Sequence, residues 1–299
     1  MLFRRQLAAM QAQEPGIRAD QDPECLHDFR VAIRRTRSLL VLSRRVLGRK
    51  SARRFRDRFG RLGRDSGRRR DFDVQLADLA VLTAANPADD WRALKPIEAW
   101  LRRHRNLAHF NLKRLLAGAR YRALLREWSL FLDSLNDPGY GTEAIVRDLA
   151  QEAIRGAWRR VCREGTAINE RSPPAEFHEL RKSAKRLRYA LEFFEPVLET
   201  KSARAVIRDL KRMQDDLGAY QDCRVQMGVL QEAEMGLLAG NRLAADTALA
   251  LSRVRSVLLH KERELRRHFR EHFDRFPCAQ IGNRLKAMLE NSDFATGNA

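Results

Sequence analysis

The chain has 299 residues, with 58 Lys plus Arg against 39 Asp plus Glu and a formal net charge of +19. That length admits one large domain or two ordinary ones, and an apolar content of 44% suffices for a packed core, which excludes wholesale disorder. No run approaches the roughly 20 apolar residues of a membrane helix, and the first ten residues lack a signal-peptide pattern. The four cysteines, Cys25, Cys162, Cys223 and Cys278, form no C-x-x-C pair, so neither a disulfide framework nor a cysteine zinc site is expected and the reducing cytoplasm is the expected setting.

Helix formers dominate, apolar residues recur at three- and four-residue spacing, and no period-2 stretch persists, so the predicted class is all-α. Pro15-Gly16 and Asp22-Pro23 are breakers ahead of a predicted helix from Glu24 to Leu47, which Gly48 closes. An arginine-laden helix follows. Asn86-Pro87 opens a segment that runs through Trp100 and Leu116, and Asn136-Asp137-Pro138-Gly139-Tyr140-Gly141 is the strongest turn cluster, almost at mid-chain. Beyond it the pattern predicts helices from Thr142 to Arg163, from Ala175 to Glu195-Pro196, over 201–236 and over 241–275. Pro277 closes the last of these, and a frayed tail is expected from Asn291.

The chain also repeats itself. At an offset of 151, His27-Asp28-Phe29-Arg30 lies on His178-Glu179-Leu180-Arg181, and Arg34-Arg35-Thr36-Arg37 lies on Lys185-Arg186-Leu187-Arg188. Without a gap, Lys50-Ser51-Ala52-Arg53 matches Lys201-Ser202-Ala203-Arg204, and the register holds at Asp65/Asp216, Gly67/Gly218, Asp71/Asp222 and Val74-Gln75/Val225-Gln226. Roughly a third of the aligned positions are identical, so one unit occurs twice. The expectation is two pseudo-symmetric four-helix bundles from an internal duplication, one over residues 1–137 and the other over 138–299.

On a helical projection Phe29, Ile33, Leu40 and Leu47 form a stripe to bury, while His27, Arg30, Arg34, Arg37 and Arg45 gather on another face. The second copy repeats this, with Leu180, Ala184, Leu187, Leu191 and Leu198 turned inward and His178, Arg181, Lys185 and Arg188 together. Like charges stacked at i, i+3 and i+4 repel, and Asp28 and Glu179 fall off the cationic face, so each row is a surface suited to an anion. The competing reading is a merely solvated basic face, which the recurrence at constant offset disfavours. Of the cations 49 are Arg and nine Lys, and arginine is the side chain that pairs bidentately with phosphate.

The pattern H-x-x-R-x-x-x-[RK]-R-x-R, present twice, resembles the CHAD family, the conserved histidine α-helical domain. So do Leu187-Arg188-Tyr189 with Phe193-Phe194, and Gln214-Asp215-Asp216-Leu217-Gly218 with Gln221-Asp222. The resemblance spans residues 2–288 and implies a helical domain with a basic groove between its two bundles. It further implies non-enzymatic binding of inorganic polyphosphate, with association with polyphosphate granules. No E-x-E-x-K start is present, so the chain looks like the stand-alone form. The residues assigned to the polymer are His27, Arg30, Arg34, Arg35, Arg37, His178, Arg181, Lys185, Arg186 and Arg188. Arg35 and Arg186 lie off the main rows. The two histidines either donate to phosphate when protonated or tether a neighbouring helix through a neutral hydrogen bond.

Arg64 stands where the second copy has Asp215, and Arg68-Arg69-Arg70 where it has Ala219-Tyr220-Gln221, which makes the first copy more basic and gives the anion track room to extend. No nucleotide-loop, nucleophile-elbow or zinc-protease motif is present, so no enzyme, cofactor or metal is expected. The main alternative is binding to a DNA or RNA backbone. Against it stand an aromatic content of 7% and the lack of a helix-turn-helix or RNA-sheet signature. A metal-binding or phosphohistidine role is weaker still, because arginines surround both histidines.

Overall fold

The structure is a computed structural model that describes residues 2–85, 91–135, 143–169, 171–195, 198, 200–274, 276 and 278–290. Among these residues the regular structure is helical: α1 (Leu2–Ala19), α2 (Pro23–Leu42), α3 (Arg49–Asp65), α4 (Gly67–Ala85), a 3-10 turn (Trp91–Leu94), α5 (Lys95–Ala117), α6 (Ala119–Asp133), α7 (Glu143–Ala167), α8 (Pro174–Phe194), α9 (Thr200–Ala239), α10 (Ala245–Asp274) and α11 (Cys278–Glu290). None of these helices is long and apolar enough to cross a membrane. The predicted breaks at Asn86-Pro87 and over 136–141, together with Pro196, Pro277 and the tail from Asn291, lie outside the described residues.

The predicted all-α class is what the structure shows, with several boundaries moved. The helix predicted to reach Leu47 stops at Leu42. Ser43 donates its N–H to Leu39 O, but Val46 and Leu47 then both turn back onto Ser43 O, and Gly48 takes φ +79° in the left-handed region. Pro15 breaks nothing: it lies inside α1, whose buried Met10 and Ile17 on either side hold the helix through it. Gly118, with φ −74° and ψ 151°, divides the segment after Trp100 into α5 and α6. The repeat appears in the boundaries themselves. Pro23 and Pro174 open α2 and α8, and Arg49 and Thr200 open α3 and α9, each pair 151 residues apart. The copies differ where α3 gives way to α4 at Ser66, because α9 runs on through the matching Leu217.

The chain divides into two compact units, one of residues 1–37, 54–135 and 222–262, the other of 38–53, 136–221 and 263–299. The first centres on Trp128, fully buried with Phe3 at 5.1 Å, Phe55 at 4.7 Å and Phe59 at 5.6 Å between ring centroids. Edge-on and tilted ring packing of this kind adds about 1 kcal/mol per pair to the area buried. The second centres on the α7–α8 interface. Ile154, Val161, Leu180, Ala184, Leu187 and Leu191 are all buried there, so the predicted inward stripe of α8 is its core face.

Position 69 and its repeat partner 220 are both buried, and they solve that problem differently. Tyr220 stacks on Phe177 at 4.5 Å while its hydroxyl accepts from Arg266 Nη2 at 2.9 Å. Arg69, 4% exposed, sits instead in a cage with the carboxylates of Asp20 and Asp73. Arg105 closes the cage, with Nη2 donating to Asp20 Oδ1 at 2.6 Å and Nε to Asp73 Oδ1 at 3.1 Å. Burial pushes the Asp20 carboxyl up, but Arg105 and Arg69 together outweigh it and hold the group below the usual carboxylate range. Arg69→Ala should therefore lower unfolding free energy by about 3 kcal/mol in urea titration, since it leaves buried carboxylates short of a cation. The depressed Asp20 contributes stability that is full above its unfolded pKa and fades as pH falls through the folded one. Asp20→Asn should accordingly flatten the melting temperature against pH below about pH 4.

Candidate anion-binding faces

In the first unit Asp22 caps α2, its Oδ1 accepting from Glu24 N at 2.8 Å, with Pro23 as the first helical residue. This fixes the start of the helix that carries the first row. Phe29 and Ile33 are buried as the stripe requires, and Thr36, wholly buried, satisfies its hydroxyl on Ala32 O at 2.9 Å. His27, Arg34 and Arg35 are half-buried, and Arg37 is exposed beside the backbone of Gly60.

Arg30 has a second task. Its Nη1 donates to Gly63 O at 2.7 Å and lies 3.3 Å from Ser66 Oγ, so it closes the carbonyl end of α3. Burial lowers its pKa against the pull of the Asp71 carboxylate. Burial likewise raises the Asp71 carboxyl, while the charges of Arg30 and Arg68 work the other way. The guanidinium of Arg30 lies over Gly67, where an added Cβ would come within 3.2 Å of Nη1.

In the second unit the entry to α8 is held from several directions. Ser172 Oγ donates to Glu176 Oε2 at 2.6 Å, Arg266 Nη1 donates to Ser172 O at 2.8 Å, and the Arg266 guanidinium covers the Phe177 and Tyr220 rings at 5.1 and 5.3 Å. Arg266 carries no repeat or motif signal, and sequence reasoning missed it. One residue past Phe177 the exposed His178 sits with Nδ1 3.0 Å from Gln221 Oε1 on α9. The bond uses one ring nitrogen, and an imidazolium has a second N–H at Nε2, so tethering α9 and donating to an anion are compatible roles.

Arg181 repeats the placement of Arg30. Its Nη2 lies 4.0 Å from the position of a Cβ on Gly218, the counterpart of Gly67. Lys185 is half-buried and Arg186 exposed. Arg188 pairs through Nε with Glu192 Oε1 at 3.2 Å and lies 5.4 Å over the Tyr189 ring. Tyr189 itself is 1% exposed and packs in the core.

Several of the surplus arginines of the first copy are drawn into ion pairs. Arg54 and Arg58 share Glu127 Oε2 at 2.6 Å each, Arg68 meets Glu232 at 2.7 Å and Arg70 meets Glu24 at 3.4 Å. With Arg69 in its cage, these positions serve the fold of their own unit. The glycines offer a differential test. Gly67→Ala should displace Arg30 from Gly63 O and cost about 1 kcal/mol in chemical unfolding. Gly218→Ala, with ordinary contact distances, should be neutral or stabilise by up to about 1 kcal/mol through its helix propensity.

Three comparisons bear on this arrangement. No curated protein matches the chain. Among solved structures, the CHAD domain from the plant Ricinus communis matches with a TM-score of 0.71 at 25% identity, covering 96% of this chain and 89% of that one. PptA from Streptomyces chartreusis shares the fold, with a TM-score of 0.64 at 18% identity over 93% of this chain and 96% of that one. The model of the CHAD domain family matches residues 1–231, which take in both histidine–arginine faces, the capped helix starts and both glycine seats. The chain therefore belongs to the CHAD domain family.

Proposed function

We propose that this protein binds inorganic polyphosphate through its two histidine–arginine faces, catalyses no reaction on the polymer, and in cells that store polyphosphate resides at the granules. The observation that carries the reading is the doubled seat: an arginine three residues after a histidine, laid beside a glycine that is itself part of the repeat, once in each unit. Membership of the CHAD domain family supports the same choice of ligand.

The physical fit is to a linear polyanion. Cations on one helix face recur once per turn, about 5.4 Å apart, so each face presents a row of positive charge. Arg34 and Arg37 in the first row, and Lys185 in the second with the exposed Arg186 beside it, are the exposed or half-buried cations that would take non-bridging oxygens by charge-assisted hydrogen bonds. Arg30 and Arg181, against the helix backbone, would set the depth of the row. A net charge of +19 adds long-range steering of any polyanion.

The test is binding at several salt concentrations. Log affinity for long-chain polyphosphate should fall linearly with log salt, as counterion release requires. Arg34→Ala with Lys185→Ala should weaken binding at least about tenfold and reduce the salt slope by about 1 to 2, with the helical circular dichroism unchanged. Unchanged affinity in that variant would remove the rows from the account. Duplex DNA at matched phosphate concentration should compete poorly, whereas equal competition would favour the nucleic-acid reading.

A further inference from the structure

Cys162 and Cys278 stand 116 residues apart in sequence, yet their sulfur atoms are 3.0 Å apart, both half-buried and both free thiols. Their placement follows from the way α7 and α11 pack. Cys162 on α7 meets Cys278 at the start of α11. One turn earlier on α7, Trp158 meets Gly282, one turn later on α11, where an added Cβ would lie 3.1 Å from the indole Nε1. A further turn along, Arg155 and Leu285 line the same 310 Å³ cavity as Trp158, Arg159, Gly282 and Lys286. Descending numbers on α7 pair with ascending numbers on α11 at each turn, so the helices are antiparallel and the two cysteines occupy facing positions of one continuous seam. Both also pack against the core of their unit, as does Phe276.

We propose that Cys162 and Cys278 are a redox modification site, closing reversibly into a disulfide that staples α11 to α7 by exchange with a low-molecular-weight disulfide such as glutathione disulfide. One cysteine thiolate attacks a glutathione sulfur, forming a mixed disulfide and releasing one glutathione thiolate. The second cysteine thiolate then attacks the protein-bound sulfur, forming the Cys162–Cys278 bond and releasing the second glutathione. Two electrons pass to glutathione disulfide, and the two thiol protons end on the two glutathiones. The sulfurs need to approach by only about 1 Å to reach the bond length of about 2.05 Å, and the antiparallel seam already aims them at each other. Burial, with Cys278 alongside, pushes the Cys162 thiol up, so closure is slow at neutral pH and speeds up as pH rises.

Cys25 and Cys223 serve as internal controls. Cys25 packs on Gly16, and Cys223 is buried with its thiol directed at Leu258 O at 3.3 Å. The protein is equilibrated in glutathione buffers of rising oxidised fraction, quenched with an alkylating agent, and its free thiols are counted after denaturation. The expected result is loss of two of the four thiols together, no retained glutathione, and one cross-linked peptide pair containing Cys162 and Cys278. The thermal midpoint of the oxidised protein should rise by about 5 °C or more, as closure of a long loop predicts. Cys162→Ser and Cys278→Ser should each abolish the cross-link and leave only a glutathione adduct at the remaining partner. Four thiols surviving at the most oxidising ratio, a stable mixed disulfide in the unmutated protein, or a cross-link joining other cysteines would each overturn the proposal.

Discussion

A guanidinium can lie close beside a helix only where no side chain stands in the way, and that steric condition shapes the first cationic face. Gly67 leaves the gap for Arg30, where an added Cβ would come within 3.2 Å, whereas Arg181 stands at an ordinary contact distance of 4.0 Å from the Cβ position of Gly218. Burial of the Arg30 charge costs it part of its hydration and lowers its pKa, and its bond to Gly63 O restrains it in position. Restraint of that kind reduces the rotamer entropy that a free surface arginine would lose on binding. The later members of each row, Arg34 and Arg37 or Lys185 and Arg188, follow at successive turns of helices whose Phe29, Ile33, Leu180 and Leu187 are buried in a core.

The two copies reach this arrangement by different chemistry. Where the second copy uses aromatic packing, with Tyr220, Phe177 and Phe269 in contact under Arg266, the first uses an ionic cage around Arg69. Breaking such a cage costs more than breaking a surface pair, because its members cannot recover full solvation. Much of the extra basic charge of the first copy is matched by carboxylates brought in from distant parts of the chain, among them Asp20, Glu127 and Glu232. The count of arginines thus overstates the charge that this copy shows to solvent.

The helical class and the buried stripes were legible in the sequence because each rests on a short period along one helix. Phe29, Ile33, Leu180 and Leu187 are buried where the projection puts them. Boundaries were legible only where local chemistry is decisive, as at Asp22-Pro23 and Pro173-Pro174. Pro15 misled because packing of Met10 and Ile17 outweighs one missing hydrogen bond, and Gly118 gave too faint a signal on its own. The partners of the site residues were not legible. Nothing in the spacing of His178 points to Gln221, and nothing in that of Arg30 points to Gly63. Arg266 and the Cys162–Cys278 approach come from contacts across long sequence separations, which no local pattern encodes.

The interruption at Ser66 makes the duplicated arginines unequal in electrostatic terms. Arg30 faces the partial negative charge that gathers at the open carbonyl end of α3, so part of its field is cancelled at home. Alongside Arg181 the peptide dipoles of α9 run unbroken through the matching position. Arg30 thus sits at a helix end and Arg181 alongside an unbroken helix, and a difference in backbone continuity becomes a difference in the local field around two matched cations.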